Sequence, residues 1–375
     1  MRPSRQTRTA ARRVKAIAAC CLPVNARRFA TGCVKGFLTG FLAMGFAVRS
    51  CFASEPGPSA VPSIFRPDST PADEIFRLSH LVLTVTGLIF VAVFALIAYS
   101  VVKFRKRPGD NNDEPPQVYG SNQVEIAWTV IPILIVAILF LATARVIHSI
   151  EDAPKPANAV EVVAVGHQFW WEFRYPALGV VTANELHVPV SDPAHATPTF
   201  ISLLSADTDH SFWVPQLAGK TDLIPNRENH TWIDPHHTGL YLGQCAQYCG
   251  VQHAKMLLRV YVDSPDQFAA WIQHQKQPAA STDSSVAEGR RIFESVACMN
   301  CHTINGTVAD GRFGPDLTHL MSRDTIASGA ATNTPEHLKA WIANPDSIKP
   351  SSLMPAMKLN DHDLDALTAY LETLR

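Results

Sequence analysis

Two long apolar stretches stand out in the first half of the chain. Leu78–Val102 has 25 residues and Ile126–Ala144 has 19, and neither contains an acidic residue, a lysine or an arginine. Each is long enough to cross the hydrocarbon core of a bilayer as a helix, the alternative being a buried helix of a soluble protein. The pattern therefore predicts a transmembrane helical hairpin within residues 54–152, with spans at about 78–102 and 126–144.

The charges that flank these stretches predict their orientation. Four basic residues follow the first span directly, Lys103, Arg105, Lys106 and Arg107. The positive-inside rule places this connection in the cytoplasm, so everything after the second span faces the periplasm. Residues 1–53 have a basic start, an apolar stretch at Gly36–Val48 and small residues near Ala53, which is typical of a targeting segment. We expect a two-pass protein of a bacterial inner membrane.

Short β-branched and aromatic runs, separated by Pro, Gly, Asp and Asn, replace the long apolar stretches after residue 152. Five runs predict strands of a small all-β sandwich or barrel within residues 153–274: Val160–Val165, Phe169–Tyr175, Phe200–Leu204, Gly239–Gly243 and Met256–Val262. Ser264 and Pro265 then start a short helix, predicted over Asp266–His274.

The rest of the chain returns to helical periodicity. Gln275–Ser285 is polar, rich in Ala, Ser and Pro, and predicts a flexible linker. Within residues 286–375, an all-α domain is predicted with helices at Val286–Ser295, Pro335–Ala343 and Asp361–Leu374. The last helix places four apolar residues on one face, Leu364, Leu367, Tyr370 and Leu371. The predicted fold is therefore multidomain: a membrane hairpin, an all-β domain and an all-α domain.

Charge and cysteine usage narrow the possible functions. Ten of the 32 Lys and Arg residues lie in residues 1–54, which have no Asp or Glu, so the rest has 22 basic and 33 acidic residues, a net charge of −11. Such an acidic chain argues against nucleic-acid binding and suits a basic soluble partner. Four of the eight cysteines lie in the leader, and the other four lie in two motifs.

The first motif is Cys245-x3-Cys249-x3-His253-x2-Met256, with His210 lying 35 residues before it. Thiolates, imidazoles and a thioether are soft ligands, which select copper. The two cysteines can bridge two metal ions, each histidine can cap one ion, and Met256 can be a weak axial ligand. The backbone carbonyl of Gln247 is placed to complete the coordination of the ion that Met256 does not bind. Zinc is the alternative metal, although it rarely uses methionine; disulfides are the alternative for the cysteines.

The second motif, Cys298-x2-Cys301-His302, has the spacing of a covalent c-type haem. The two cysteines would form thioethers and His302 would be the proximal iron ligand. The distal ligand should be a thioether. Three methionines are candidates, in order of preference Met354, Met357 and Met321. Met354 comes first because Pro355 would fix the chain that follows it.

Several motifs together resemble subunit II of haem–copper cytochrome c oxidases. They are Glu125-Ile-Ala-Trp-Thr-Val-Ile-Pro132, Gly166-His-Gln-Phe-Trp-Trp, Asp207-x2-His210-Ser-Phe-x-Val-Pro, Gly219-Lys-Thr-Asp-x-Ile-Pro and Cys245-Ala-Gln-Tyr-Cys-Gly-x2-His253-x2-Met256. The resemblance implies a cupredoxin-like barrel with the binuclear copper centre called CuA. It also implies assembly with subunit III and with subunit I, which holds haem and the oxygen-reducing site.

The resemblance assigns roles to further positions. Glu125 matches the carboxylate at the mouth of a proton pathway into subunit I, or is simply an acid favoured by the helix dipole. Gln247 stands where many members have a glutamate that helps to bind magnesium at the subunit interface. Phe169 stands where many members have the tryptophan through which electrons enter from soluble cytochrome c. Trp170 and Trp171 follow at once and would keep an aromatic surface there; the alternative is that these rings have no electronic role.

The C-terminal segment resembles a class I cytochrome c. The resemblance rests on Gly314-Pro-Asp-Leu-Thr, Met354-Pro and the closing Leu-x2-Tyr370-Leu. Subunit II with a fused cytochrome c is the arrangement of caa3-type oxidases. It implies that a soluble c-type cytochrome or another periplasmic donor reduces haem c, and that electrons pass through CuA to subunit I. Oxygen reduction and proton pumping belong to subunit I, so no catalytic residue is expected in this chain.

Three other functions fit parts of the pattern. A copper-delivery module would not need a membrane hairpin with Glu125 or a second redox centre. Nitrous oxide reductase shares the copper loop but needs a large propeller domain, for which we see no room. A quinol oxidase subunit lacks the copper ligands that this sequence has.

Overall fold

The computed structural model describes residues 62–375 apart from 107, 110–113, 115–116, 118, 192–196 and 280–283. Two long helices come first, α1 at Thr70–Lys103 and α2 at Asn122–Glu151. Within the described residues, these two are long and apolar enough to cross a membrane. Both extend beyond the predicted spans, because the hydrogen-bond ladder of a helix continues through polar residues. The predicted hairpin is confirmed; the predicted targeting segment lies outside the described residues.

Both helices are anchored to one strand at Asn229–Ile233, which we number β8 below. Asp234, directly after this strand, accepts hydrogen bonds from the Thr70 backbone N–H at 2.7 Å and from the Ser69 hydroxyl at 2.9 Å. The Trp232 indole N–H donates to the Ile150 carbonyl at 2.8 Å. These bonds satisfy backbone groups at one end of each helix, which have no partner within the helix itself. The strand thereby fixes the membrane hairpin to the domain that follows.

That domain, here called the β-domain, has ten strands in the part of the chain that the structure describes. β1 to β5 are Val160–His167, Trp170–Tyr175, Val180–Ala183, Glu185–Pro189 and Thr199–Ser205. β6 to β10 are His210–Trp213, Thr221–Leu223, Asn229–Ile233, Gly239–Cys245 and Leu257–Asp263. One sheet has the order β3-β2-β1-β5-β8 and the other β4-β10-β9-β6-β7. This cupredoxin-like arrangement confirms the predicted all-β fold.

The core of the β-domain lies between the two sheets. Its largest fully buried side chains include Trp171, Phe173, Phe212, Leu186 and Ile201. Each buried side chain of this size contributes about 1.5–3 kcal/mol to the free energy of unfolding. After β10, helix α3 at Pro265–Gln275 starts at Ser264, whose hydroxyl accepts from the Gln267 N–H at 3.3 Å.

The remaining residues form an all-α unit, here called the C-terminal domain. Its helices are α4 at Ala287–Ser295, α5 at Cys298–Cys301, α6 at Pro335–Ala343, α7 at Pro345–Ile348 and α8 at Asp361–Leu371. Two short strands pair antiparallel, β11 at Thr325–Ile326 and β12 at Ala331–Thr332. A Cβ on Gly289 of α4 would lie 2.0 Å from the Ala366 carbonyl oxygen of α8, so only glycine permits this crossing. The predicted helical domain is confirmed, while the exact domain boundaries and the linker at 275–285 stay predictions.

Candidate copper and haem sites

The first candidate site lies in the loop that joins β9 to β10. β9 ends at Cys245 and a single turn, His253–Lys255, precedes Met256. The Cys245 N–H donates to the Met256 carbonyl at 2.9 Å, which closes the base of the loop. The Ala246 N–H donates to the Ser211 carbonyl at 3.0 Å, which holds the loop against β6. Since β6 begins at His210, these bonds bring the distant histidine to the loop.

The predicted ligands form a row with two sulfur atoms at its centre. The sulfur atoms of Cys245 and Cys249 are 3.8 Å apart. His210 Nδ1 lies 3.9 Å from the Cys245 sulfur, and His253 Nδ1 lies 3.8 Å from the Cys249 sulfur. The Met256 sulfur is 3.8 Å from Cys249, and the Gln247 carbonyl oxygen is 3.1 Å from Cys245. Every predicted donor therefore lies beside one of the two thiols.

This arrangement fits two metal ions better than one. A single tetrahedral ion needs four donors that are all mutually close. Here each imidazole lies beside a different thiol. Among the described His, Cys, Asp and Glu residues, only His210, Cys245 and Cys249 offer ligand atoms that are all within 4.8 Å of one another, so His253 lies outside this group. The row offers two thiols, two imidazoles, one thioether and one carbonyl oxygen, a soft donor set that suits copper. The site thus fits a binuclear copper centre.

His210 is oriented by an acidic residue that the sequence interpretation did not single out as functional. His210 Nε2 lies 2.8 Å from Asp207 Oδ1, and Asp207 also accepts from the Gln168 N–H at 2.7 Å. With Nε2–H donated to the carboxylate, Nδ1 presents its lone pair to the sulfur row. A Cβ on Gly166 would lie 2.7 Å from the His210 ring, so the ring fills the space that glycine leaves. In the sequence, the spacing Asp207-x2-His210 could have indicated that Asp207 orients this histidine.

The two thiols affect each other's acidity. The hydrogen bond between the two sulfur atoms, together with the contact to His210, lowers the pKa of Cys245. The hydrogen bond to Cys245 and burial raise the pKa of Cys249 above its ordinary value. Thiolate formation is therefore favoured at Cys245, and a bound cation would favour loss of the proton from Cys249 as well.

The second candidate site is a cavity of about 430 Å³ that is lined mostly by the C-terminal domain. Cys298, Cys301, His302, Met354 and Met357 all line it. Met321 does not line this cavity, so the structure favours Met354 and Met357 over Met321 as the distal haem ligand.

The His302 ring is held in the tautomer that an iron ligand requires. His302 Nδ1 lies 2.7 Å from the Pro315 carbonyl oxygen, which can only accept, so Nδ1 carries the proton and Nε2 is left to bind a metal. A Cβ on Gly314 would lie 2.5 Å from the ring, so glycine lets the loop lie flat on the imidazole. Burial lowers the pKa of His302, which favours the neutral ligand form. The residues fit a covalent c-type haem.

The predicted aromatic surface for electron entry differs from the structure. Phe169 is 8% exposed and Trp171 is completely buried, while Trp170 stacks on His167 with ring centroids 4.2 Å apart. Successive side chains of a strand point to opposite faces, so Trp170 and Trp171 of β2 cannot both lie on the surface. Phe169 and Trp170 instead line the haem cavity, together with Gln168 and Asn184 of the β-domain. Phe169 and Trp171 therefore do not form an exposed patch, while the electron-entry role of Phe169, Trp170 and Trp171 stays a prediction.

The other two predicted positions are exposed. Glu125 lies in the first turn of α2, as the helix-dipole interpretation expects. Gln247 exposes its side chain at the tip of the copper loop, beside Tyr248, which is 72% exposed. The proton-pathway role of Glu125 and the magnesium role of Gln247 stay predictions.

The β1–β2 hairpin that carries the cavity wall is held by a charged group at Glu172. Its carboxylate lies 3.1 Å from His167 Nε2 and accepts from the Arg174 guanidinium at 2.6 Å. Burial alone would raise its pKa, but the hydrogen bonds from His167 and Arg174 lower the pKa of Glu172 from 4.5 to about 2. A carboxylate with a lowered pKa stabilises the fold above pH 4.5, and this contribution disappears as the pH falls to about 2.

We therefore expect Glu172→Gln to lower the free energy of unfolding by about 1 kcal/mol at neutral pH, after allowing for solvent screening. The difference from wild type should shrink as the pH falls below 4.5. Thermal unfolding over a pH series measures this, with Glu161→Gln as a control, because Glu161 is 55% exposed in its pair with Lys155. A difference that is independent of pH would contradict the prediction.

Comparisons with known proteins agree with this division of the chain. Residues 59–146 match the transmembrane domain of cytochrome c oxidase subunit II, residues 160–262 match its periplasmic domain, and residues 286–375 match cytochrome c. The cytochrome c oxidase subunit 2 of Alkalihalophilus pseudofirmus is 35% identical over 315 residues, which cover 82% of this chain and 90% of that protein. The protein of the same name from Bacillus subtilis is 31% identical over 334 residues, covering 84% and 92%.

A solved structure also matches part of the chain. The crystal structure of the periplasmic domain of subunit II of cytochrome oxidase from Bradyrhizobium japonicum is 29% identical and has a TM-score of 0.30. It covers 32% of this chain and 96% of that one. With a membrane hairpin, a β-domain holding a soft-ligand loop and a haem cavity in matching order, the chain belongs to the cytochrome c oxidase subunit II family, in the form that carries a C-terminal cytochrome c domain.

Proposed function

We propose that this chain is the electron-input subunit of a caa3-type oxidase. A soluble periplasmic donor, a c-type cytochrome or another protein, would deliver electrons to haem c in the C-terminal domain. They would continue through the CuA pair to subunit I, where dioxygen is reduced to water and protons are pumped. Family membership itself makes the chain a membrane-bound subunit of a terminal oxidase, with periplasmic domains, that associates with other oxidase subunits.

One observation supports this route above all others: a single short segment of the β-domain contacts both candidate sites. Gln168 lines the haem cavity, and its side-chain amide donates to the carbonyl of Cys249, a proposed copper ligand, at 2.6 Å. Phe169 and Trp170 line the same cavity. The haem c and the copper pair each supply a one-electron redox centre when bound. The chain's own contribution is to hold both sites in contact with this one segment.

Named residues would hold each group. Cys298 and Cys301 would attach the haem, and His302 and Met354 would bind its iron. Cys245, Cys249, His210, His253, Met256 and the Gln247 carbonyl would hold the copper pair. The surroundings of the copper thiols, with Cys245 and Cys249 each 3% exposed, exclude water that would otherwise reorganise around a changing charge.

Further parts of the proposal concern the interface with subunit I. The exposed Gln247 side chain can offer an amide oxygen to magnesium, although amide oxygen is a weaker ligand than carboxylate. Glu125, in the first turn of α2, would contribute a carboxylate to a proton pathway that begins at this interface. We further propose subunits I and III as direct partners and the bacterial inner membrane as the location.

Metal analysis of the intact, gently solubilised complex tests the proposed function. We expect two copper ions and one covalent haem c per chain, and an electron paramagnetic resonance signal whose hyperfine splitting is shared by two copper nuclei. A polytopic subunit that contains haem and copper should co-purify. Zinc in the loop, a single copper with localised hyperfine lines, or a lone protein that does not consume oxygen would contradict the proposal.

A further inference from the structure

The β-domain and the C-terminal domain meet along a polar seam. The segment that contains β11 lies against β10: the Leu257 N–H donates to the Ser328 carbonyl at 3.1 Å, and the Ser328 hydroxyl donates to the Leu257 carbonyl at 2.8 Å. Lys255 adds a solvent-exposed hydrogen bond to the Ile348 carbonyl at 2.8 Å. These contacts are backbone-directed, so they fix the position of one chain segment against the other.

A buried acid crosses the seam from the β-domain. Glu185, the first residue of β4, is only 3% exposed. Its Oε1 accepts from the Asp324 N–H at 3.0 Å, from the Thr325 N–H at 3.1 Å and from the Thr325 hydroxyl at 3.3 Å. One side chain thus satisfies two backbone donors of the other domain, which would be costly to bury without a partner.

A buried amine crosses the seam in the opposite direction. Lys349, which directly follows α7, is 3% exposed. Its Nζ donates to the Phe169 carbonyl at 2.6 Å and to the Ala327 carbonyl at 3.0 Å. An amine offers at least two N–H groups in either protonation state, so both bonds persist without the charge. The Phe169 carbonyl belongs to the segment that separates the haem cavity from the copper loop.

Stability alone does not account for these two residues. Well-packed apolar side chains of similar volume are often as good as, or better than, buried charged groups for stability, whereas buried polar groups can select a single arrangement. Each of the two bonds to backbone groups of the opposite domain, and such bonds require one orientation. Apolar contacts across the same seam would tolerate sliding or rotation.

We propose that Glu185 and Lys349 are positioning residues that hold the C-terminal domain in the orientation in which Phe169 and Trp170 close one wall of the haem cavity. The two side chains are called the interdomain latch below. This inference rests on the proposed function only for its consequence, which is rapid electron transfer within one chain. The latch makes repeated docking of the haem domain unnecessary, so only the external donor has to bind and leave.

The experiment compares variants of the intact complex, each checked for copper and haem content. Glu185→Leu and Lys349→Met remove the latch bonds, while Glu185→Gln keeps an acceptor oxygen. Lys339→Met is the matched control for Lys349, since it removes an exposed lysine that pairs with Asp365 within the C-terminal domain. Thr325→Val removes only the hydroxyl contact to Glu185. It replaces Glu185→Leu in both measurements if Glu185→Leu fails to fold.

Two measurements are made on each variant. Hydrogen exchange reports whether the Asp324 and Thr325 amides stay protected. Rapid reduction of the haem then reports intramolecular transfer of one electron, without any proton or atom, from reduced haem to oxidised copper. We expect Glu185→Leu and Lys349→Met to speed exchange and to slow electron transfer about tenfold or more, a factor that corresponds to about 1.4 kcal/mol. Glu185→Gln and Lys339→Met should stay within about twofold of wild type in both measurements. Thr325→Val should give an effect between these controls and Glu185→Leu.

The outcomes separate the latch from the proposed function. Unchanged exchange and unchanged electron transfer in both Glu185→Leu and Lys349→Met, with full metal content, would overturn the latch. Equal damage from Glu185→Gln would also overturn it, because the acceptor oxygen is still present. A wild-type complex without a copper pair or haem would instead refute the proposed function, while the exchange data would still decide whether the latch holds the domains.

Discussion

Replacing Cys249 by serine should abolish the binuclear copper centre. The Cys249 sulfur lies 3.8 Å from each of three other donors, the Cys245 sulfur, His253 Nδ1 and the Met256 sulfur. It is the central atom of the row, so its loss disconnects His253 and Met256 from Cys245. A serine hydroxyl is a hard ligand that stays protonated at neutral pH, and copper selects soft ligands.

We expect the Cys249→Ser complex to hold at most one copper in this loop, with localised hyperfine lines. Oxygen consumption with a soluble donor should fall by at least about a hundredfold, more than the 10–100-fold that changes to outer-shell partners cause. Copper analysis, paramagnetic resonance and oxygen uptake measure these effects. Met256→Leu is the control: it keeps both bridging sulfurs and should retain two copper ions. Two copper ions with a shared signal in Cys249→Ser would refute the assigned ligand set.

The copper ligands could be predicted from sequence because most of them are local. Cys245, Cys249, His253 and Met256 occupy one loop, and their soft donors allow few other interpretations. His210 was found through its motif, although only the pairing of β6 with β9 brings it into contact. The sulfur row in the structure shows what spacing alone could not, namely that each imidazole lies beside a different thiol.

The latch residues could not be predicted, because their partners are remote in sequence. Lys349 and Phe169 are separated by 180 residues, and a lone lysine after a short helix is typical of a solvated surface. Glu185 and its partner Thr325 are 140 residues apart. β4 also lacks the alternation that marks a half-buried strand, since Glu185, Leu186, Val188 and Pro189 are all buried. The burial of β4 depends on both the other sheet and the C-terminal domain.

The burial of Phe169 and Trp171 could not be predicted for a related reason. A run of three aromatic residues can be assigned to a surface only if the faces of its strand are known. The pairing of Gly166 with Trp171 and of His167 with Trp170 fixes those faces. It turns Trp171 towards Phe212 in the core, with ring centroids 6.0 Å apart. The fused C-terminal domain then covers Phe169, which a sequence without a known domain orientation could not reveal.

Replacing Met354 by leucine should lower the midpoint potential of the haem by about 0.1 V or more. Met354 and Met357 both line the haem cavity, and only one of them can be the axial ligand opposite His302. A thioether ligand raises the potential of a haem, and axial ligands set potentials over a range of about 0.8 V. Leucine has nearly the same volume, so the cavity stays filled while the sulfur is lost.

Redox titration of the intact complex with its optical spectrum distinguishes the two candidates. We expect Met354→Leu to lose the six-coordinate spectrum and to accept electrons from the donor less readily, while Met357→Leu keeps the wild-type potential. The reverse result would assign the ligand to Met357, and unchanged potentials in both would exclude methionine at this position. Because Pro355 restricts the backbone next to Met354 and leaves Met357 free of such a restraint, the sequence itself favours the first outcome.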